Sequence, residues 1–235
     1  FALQSLTDVF NSAMDDMRAE RWSGACPKFA EILKEDPENI PTLFNRALCS
    51  YKLGDHDLAI QLYQQVIRQD PKVYEARVNL GLIYLELADP DAAAEQLEAS
   101  VALSPDDPTY HLKAATAYIA SKEFDRAYPH LKFAEQHSQP TAELYGTLSD
   151  VEDQLGLKPE ALDHLQKASA LSPADPDILE RLAIRYFEAK DYAAAIPVLE
   201  RLTAASVRNA RALQMLAQSY FETKRYPQAA DASLR

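Results

Sequence analysis

Residues 74–107 read YEARVNLGLIYLELADPDAAAEQLEASVALSPDD, and this stretch decides the fold. Val78, Leu82 and Leu85 recur at helical spacing along one face of its first half, while Leu80, Gly81 and Tyr84 follow a second face. Ala88-Asp89-Pro90 interrupts the pattern as a turn. A second helix then runs until Ser104-Pro105, because the residue before a proline is pushed out of helical geometry. The unit is a helix–turn–helix that cannot bury both of its faces alone and must stack on a neighbour.

Working outward, the same unit repeats. Pro37, Pro71 and Pro105 are spaced by 34 residues, and Pro173 lies two periods further on. On that ruler repeats start at residues 6, 40, 74, 108, 142, 176 and 210, with the seventh incomplete at Arg235. The twentieth position of each is alanine: Ala25, Ala59, Ala93, Ala127, Ala161, Ala195 and Ala229. The eighth is always small: Ala13, Ala47, Gly81, Ala115, Ser149, Ala183 and Ala217. The twenty-fourth is large in six repeats, and the eleventh is tyrosine in four (Tyr84, Tyr118, Tyr186, Tyr220). Small side chains at positions 8 and 20 let two helices approach closely, and large ones around them fill the remaining space.

Composition narrows the function. With 47% hydrophobic and 26% charged residues the chain has ordinary globular usage, and no apolar run is long enough to span a membrane. A net charge of −12 excludes a nucleic-acid partner, since phosphate neutralisation needs a basic face. Acid is concentrated in the first, third and fifth repeats, with net charges of −4, −7 and −5, which favours a neutral to basic partner. No GxSxG, GxxxxGK, GxGxxG or HExxH motif occurs, so neither an enzyme nor a cofactor is expected. The five histidines read as solvated residues of the outer face rather than metal ligands. Cys26 and Cys49 fall on neighbouring helices; a disulfide is open to them, but two small buried hydrophobes are the favoured reading. The chain begins at Phe1 and stops inside a second helix, which reads as a piece of a longer protein of unknown location.

The stretch Leu80-Gly81-Leu82-Ile83-Tyr84 with Ala93, Leu97 and Pro105 resembles the tetratricopeptide repeat (TPR) family, in unbroken register over residues 6–235. The resemblance implies an all-α, right-handed superhelical solenoid of antiparallel helix pairs, one domain over 6–235 after a short lead-in at 1–5. It also implies that positions 2, 5, 9, 12 and 13 of each first helix line a concave binding surface. In the first four repeats those slots hold Phe10, Met14, Met17, Phe44, Leu48, Tyr51, Val78, Leu82, Leu85, Leu112 and Ile119, an apolar groove for a peptide. Asn11, Asn45 and Asn79 at position 6 form a ladder of amides able to bind a peptide backbone. The groove should turn acidic at the fifth repeat through Glu143, Asp150 and Asp153. Of the residues with which related repeats clamp a chaperone's C-terminal carboxylate only Asn45 is present, so that role is rejected. The expected function is a non-enzymatic scaffold that binds a partner protein through apolar anchors. The alternatives are a recognition arm of a larger enzyme and a self-assembly module.

Overall fold

Helix starts are fixed by side chains that satisfy the first orphaned backbone N–H groups. Ser5 and Asp8 form a reciprocal capping box at Leu6, and Asn39, Asp107, Thr141, Asp175 and Asn209 cap five of the other six first helices. The computed structural model describes residues 5–205 and 209–234, so lead-in residues 1–4 lie outside it.

Fourteen helices follow among those residues. The first four pairs are α1 (Leu6–Arg18) with α2 (Trp22–Glu35), α3 (Ile40–Lys52) with α4 (His56–Gln69), α5 (Tyr74–Glu86) with α6 (Pro90–Leu103), and α7 (Pro108–Ala120) with α8 (Phe124–His137). The remaining three are α9 (Ala142–Gln154) with α10 (Lys158–Leu171), α11 (Pro176–Glu188) with α12 (Tyr192–Ala205), and α13 (Ala210–Glu222) with α14 (Tyr226–Leu234). The first helices start at the residues given by the 34-residue ruler.

The turn inside each pair is a Schellman motif. At position 15 every repeat takes a positive φ, at Glu20, Gly54, Ala88, Lys122, Gly156, Lys190 and Lys224. The next residue's N–H reaches back to the carbonyl of position 11, for example Asp89 to Tyr84 at 2.8 Å and Leu157 to Glu152 at 2.8 Å. Only Gly54 and Gly156 take this backbone without side-chain cost. The other five pay for it through the closed hydrogen-bond ring.

The chain divides into two compact units, Phe1–Phe133 and Ala134–Arg235. In the first, successive helices pack in order, and α3, α5 and α7 also lie side by side, forming one face from first helices. In the second, α11 and α13 do the same. The alanines at position 20 are buried throughout, and Phe29, Tyr63, Leu97, Leu165 and Leu199 at position 24 are fully enclosed. Gly81 shows why position 8 must be small: a Cβ placed there would come within 2.6 Å of Leu97 Cγ. Gly81→Val should therefore cost about 2–3 kcal/mol by overpacking a sealed site, read as a lowered urea midpoint for the first unit.

Candidate functional site

α1 and the face made by α3, α5 and α7 hold the residues assigned to the groove. Phe10, Met14, Met17, Phe44, Leu48, Tyr51, Leu82, Leu85, Leu112 and Ile119 are half-buried, and Val78 alone is buried. Phe10 and Phe44 each rest one flank on the second helix of their own pair. Phe10 meets Phe29 edge-on at 5.7 Å, and Phe44 meets Tyr63 likewise at 5.5 Å. Tyr51 is tied across to the next first helix by its hydroxyl, which donates to Glu86. These side chains fill space between helices and leave part of their surface to the face.

The asparagines are placed unequally. Asn11 is exposed. Asn45 donates from Nδ2 to the Pro41 carbonyl of its own helix at 2.8 Å, and Asn79 donates to the Tyr63 hydroxyl at 3.1 Å. Each of the latter two keeps a carbonyl oxygen and a second N–H beyond those bonds.

In the second unit the acidic edge is corrected by its neighbours. Asp150 and Asp153 pair with Arg181 and Arg185 of α11, and Arg181 also donates to the Gly146 carbonyl at 3.1 Å. The neutralising arginines stand on the next first helix, nearly one repeat away in sequence. Burial pushes the Asp150 carboxyl up, and the two arginines oppose that.

Family models for the tetratricopeptide repeat match residues 10–74, 44–108, 78–136 and 186–232. The chain belongs to the tetratricopeptide repeat family. Among solved structures, a TPR protein from Parabacteroides merdae superposes with a TM-score of 0.69 at 16% identity, covering 98% of this chain and 91% of that one. The MamA protein gives 0.66 at 21% identity, over 72% of this chain and 92% of its own. YrrB, described as a TPR protein with an unusual peptide-binding site, gives 0.62 at 15% identity, over 72% and 88%. No curated protein matches the sequence. At these identities the likeness is one of fold.

As a TPR protein the chain is a module of a protein-interaction repeat family, and its individuality lies in the ties between helices. All four position-11 tyrosines bond the residue at position 25 of the preceding repeat: Tyr84 with Gln64 at 3.4 Å, Tyr118 with Glu98 at 3.0 Å, Tyr186 with Gln166 at 2.7 Å, and Tyr220 with Glu200. Burial, aided by the carboxylates, pushes the Tyr118 and Tyr220 hydroxyls up to about 12. Where position 11 is acidic, position 23 of the same repeat carries a base. Asp16 accepts from Lys28 at 2.6 Å, and Glu152 bonds His164 Nδ1 at 2.7 Å. His164 also meets Glu135 through Nε2 at 3.1 Å, and Tyr145 stacks on its ring.

These contacts overturn the outer-face reading for His111, His130 and His164, whereas His137 is exposed and His56 half-buried. His164 and His111 are buried, and His130 lies 3.0 Å from His111 Nδ1 and 3.0 Å from Glu98. Burial pulls His130 below the usual histidine range, against the pull of Glu98. His111 is further covered by Phe133, stacked at 3.9 Å. Position 23 points back at position 11 of its own first helix, which encloses His164 against Glu152 and half-buries His130 against Tyr118. The cysteine expectation is corrected too: Cys26 and Cys49 are disulfide-bonded, with Cα atoms 5.7 Å apart. Among the described residues no group of three or more potential metal ligands is assembled, and no helix is long and apolar enough to cross a membrane.

Two predictions follow from the 11–23 pairs. His164→Leu leaves Glu152 buried without its partner and should cost about 3–5 kcal/mol in chemical denaturation. The double change Glu152→Tyr with His164→Val, which installs the pair found in the sixth repeat (Tyr186 and Val198), should recover most of that loss. Lys28, then Arg21, hold the Asp16 carboxyl below the usual carboxylate range. Its contribution is therefore complete above about pH 4 and disappears as pH falls through the lower native value. Asp16→Asn should unfold more easily than the parent at neutral pH and match it in strong acid.

Proposed function

We propose that the first unit is a non-enzymatic binding scaffold whose first-helix face holds an extended or helical segment of a partner protein. The observation that supports this is the state of the eleven assigned apolar side chains, of which ten are half-buried rather than sealed. A row of this kind along adjacent helices exceeds what a protein usually leaves bare without a partner. Phe10, Phe44, Leu48 and Leu82 would take apolar anchors, and the free amide edges of Asn11, Asn45 and Asn79 would meet the segment's backbone. Glu75 and Glu86 on α5 add negative charge beside the row, which suits a neutral to basic segment. YrrB, a fold relative described by its peptide-binding site, is in keeping with this reading.

Self-association through α13 and α14 is the second reading, favoured by the exposure of Phe221 and Tyr226, which pack edge-on against each other at 5.5 Å. Sedimentation over a range of concentrations distinguishes the two, since a chain that stays monomeric excludes it.

For the groove, peptides are selected from a phage-displayed library against the whole chain, and the best binder is titrated. Leu82→Asp and Phe44→Asp should each weaken it at least tenfold, about 1.4 kcal/mol, with the helical circular-dichroism signal unchanged. Glu188→Lys in the second unit serves as the control and should leave affinity as it was. Selected peptides that bind both groove variants as they bind the parent would sink the proposal.

A further inference from the structure

The first repeat is attached to the second differently from the other repeats. Its buried core comprises Val9, Ala13, Ala25, Phe29 and Ile32 from α1 and α2, together with Cys49 from α3. The next core, around Leu43, Tyr63 and Leu80, is separate, and from the first repeat only Leu33 leans on it. Position 11 of the second repeat is Ser50 and position 25 of the first is Ala30, so the tyrosine tie used at four other junctions has no counterpart here. One residue before Ser50, Cys49 makes the covalent bond to Cys26.

The hairpin itself is internally strong. Asp16 is held by Lys28 at 2.6 Å and Arg21 at 2.7 Å, and Lys28 also donates to Ser12 Oγ at 2.7 Å. The link to α3 is the short segment Asp36-Pro37-Glu38-Asn39, whose Pro37 carbonyl accepts from Gln65 at 3.1 Å. α2 packs along α3, and Cys49 is the α3 residue enclosed in the first repeat's core; with the tyrosine tie missing, a rigid pair of helices on a four-residue link has the construction of a hinged element.

We infer that the Cys26–Cys49 disulfide is a redox latch that docks the first repeat onto the second, and that a dithiol reductant releases it. The reductant's thiolate attacks Cys26 Sγ, the half-buried partner, and the sulfur of enclosed Cys49 leaves as thiolate and takes a proton. The second thiol of the reductant then resolves the mixed disulfide. The protein ends with two thiols and the reductant as its cyclic disulfide. The α1–α2 hairpin, intact through Asp16, swings on residues 36–39 and carries Phe10, Met14 and Met17 away from Phe44, Leu48 and Tyr51. Resting on the groove reading above, reduction parts the first repeat's share of the binding face from that of the next three.

The whole chain, folded in the presence of oxidised glutathione, is compared before and after dithiothreitol. Denatured without reductant it should show no free thiol, and after reduction two. Amide hydrogen exchange in α2 and at the start of α3 should quicken at least tenfold on reduction, while α5 to α7 keep their protection. The double variant Cys26→Ala with Cys49→Ala should exchange like the reduced parent and ignore dithiothreitol. Two free thiols in the oxidised preparation overturn the latch. So does unchanged protection in α2 on reduction, or a loss spread evenly over all repeats. No peptide enters this measurement, so the latch and the groove reading can fail separately.

Discussion

The helix pairs of this chain depend on a small residue at position 8, which in the third pair lets Gly81 of one helix meet Leu97 at position 24 of the other. That spacing leaves no room for a side chain at Gly81, where Leu97 already fills the volume a Cβ would need. Ala13, Ala47, Ala115 and Ala183 occupy the equivalent sites and are buried. Because the pairs are so tight, nearly all large apolar side chains are consumed between them. The apolar side chains left half-covered along the first helices, such as Phe44, Leu48 and Leu82, are the physical origin of a binding surface on that face.

The repeat, its register and its helix boundaries were legible because each rests on residue types that must recur: a small residue, an alanine, a large core residue and a stop. Cys49, Glu152 and His164 were illegible for the opposite reason. They sit at positions where the repeat tolerates many residues, and their meaning appears only when two positions are read together. The signal was nonetheless present. Asp16 with Lys28 and Glu152 with His164 are both acid–base pairs at positions 11 and 23, and the other five repeats carry no acid at position 11. Reading columns of the repeat in pairs, rather than singly, would have found them.

The acidic edge of the fifth repeat teaches the same lesson across a longer interval. Asp150 and Arg181 stand 31 residues apart, and Asp153 and Arg185 stand 32 apart, close to one period. In a tandem array the neighbour that neutralises a charge is found nearly one repeat away, so net charge per repeat overstates the field on the face. Repeats five and six carry formal charges of −5 and 0, yet two of the five excess acids are already paired.

The ties between repeats are the last layer, and they are not uniform. Four junctions use a tyrosine hydroxyl on a glutamine or glutamate, a bond worth about 0.5–1.5 kcal/mol when neutral and more when the acceptor is charged. The first junction lacks it and uses a covalent bond that closes a 23-residue separation, worth about 3 kcal/mol by loop-closure entropy. In an array whose stability is a sum of repeats and nearest-neighbour interfaces, each interface sets how readily the repeats on its two sides part. The junction of the first and second repeats is thus the one whose strength is set by a thiol–disulfide equilibrium.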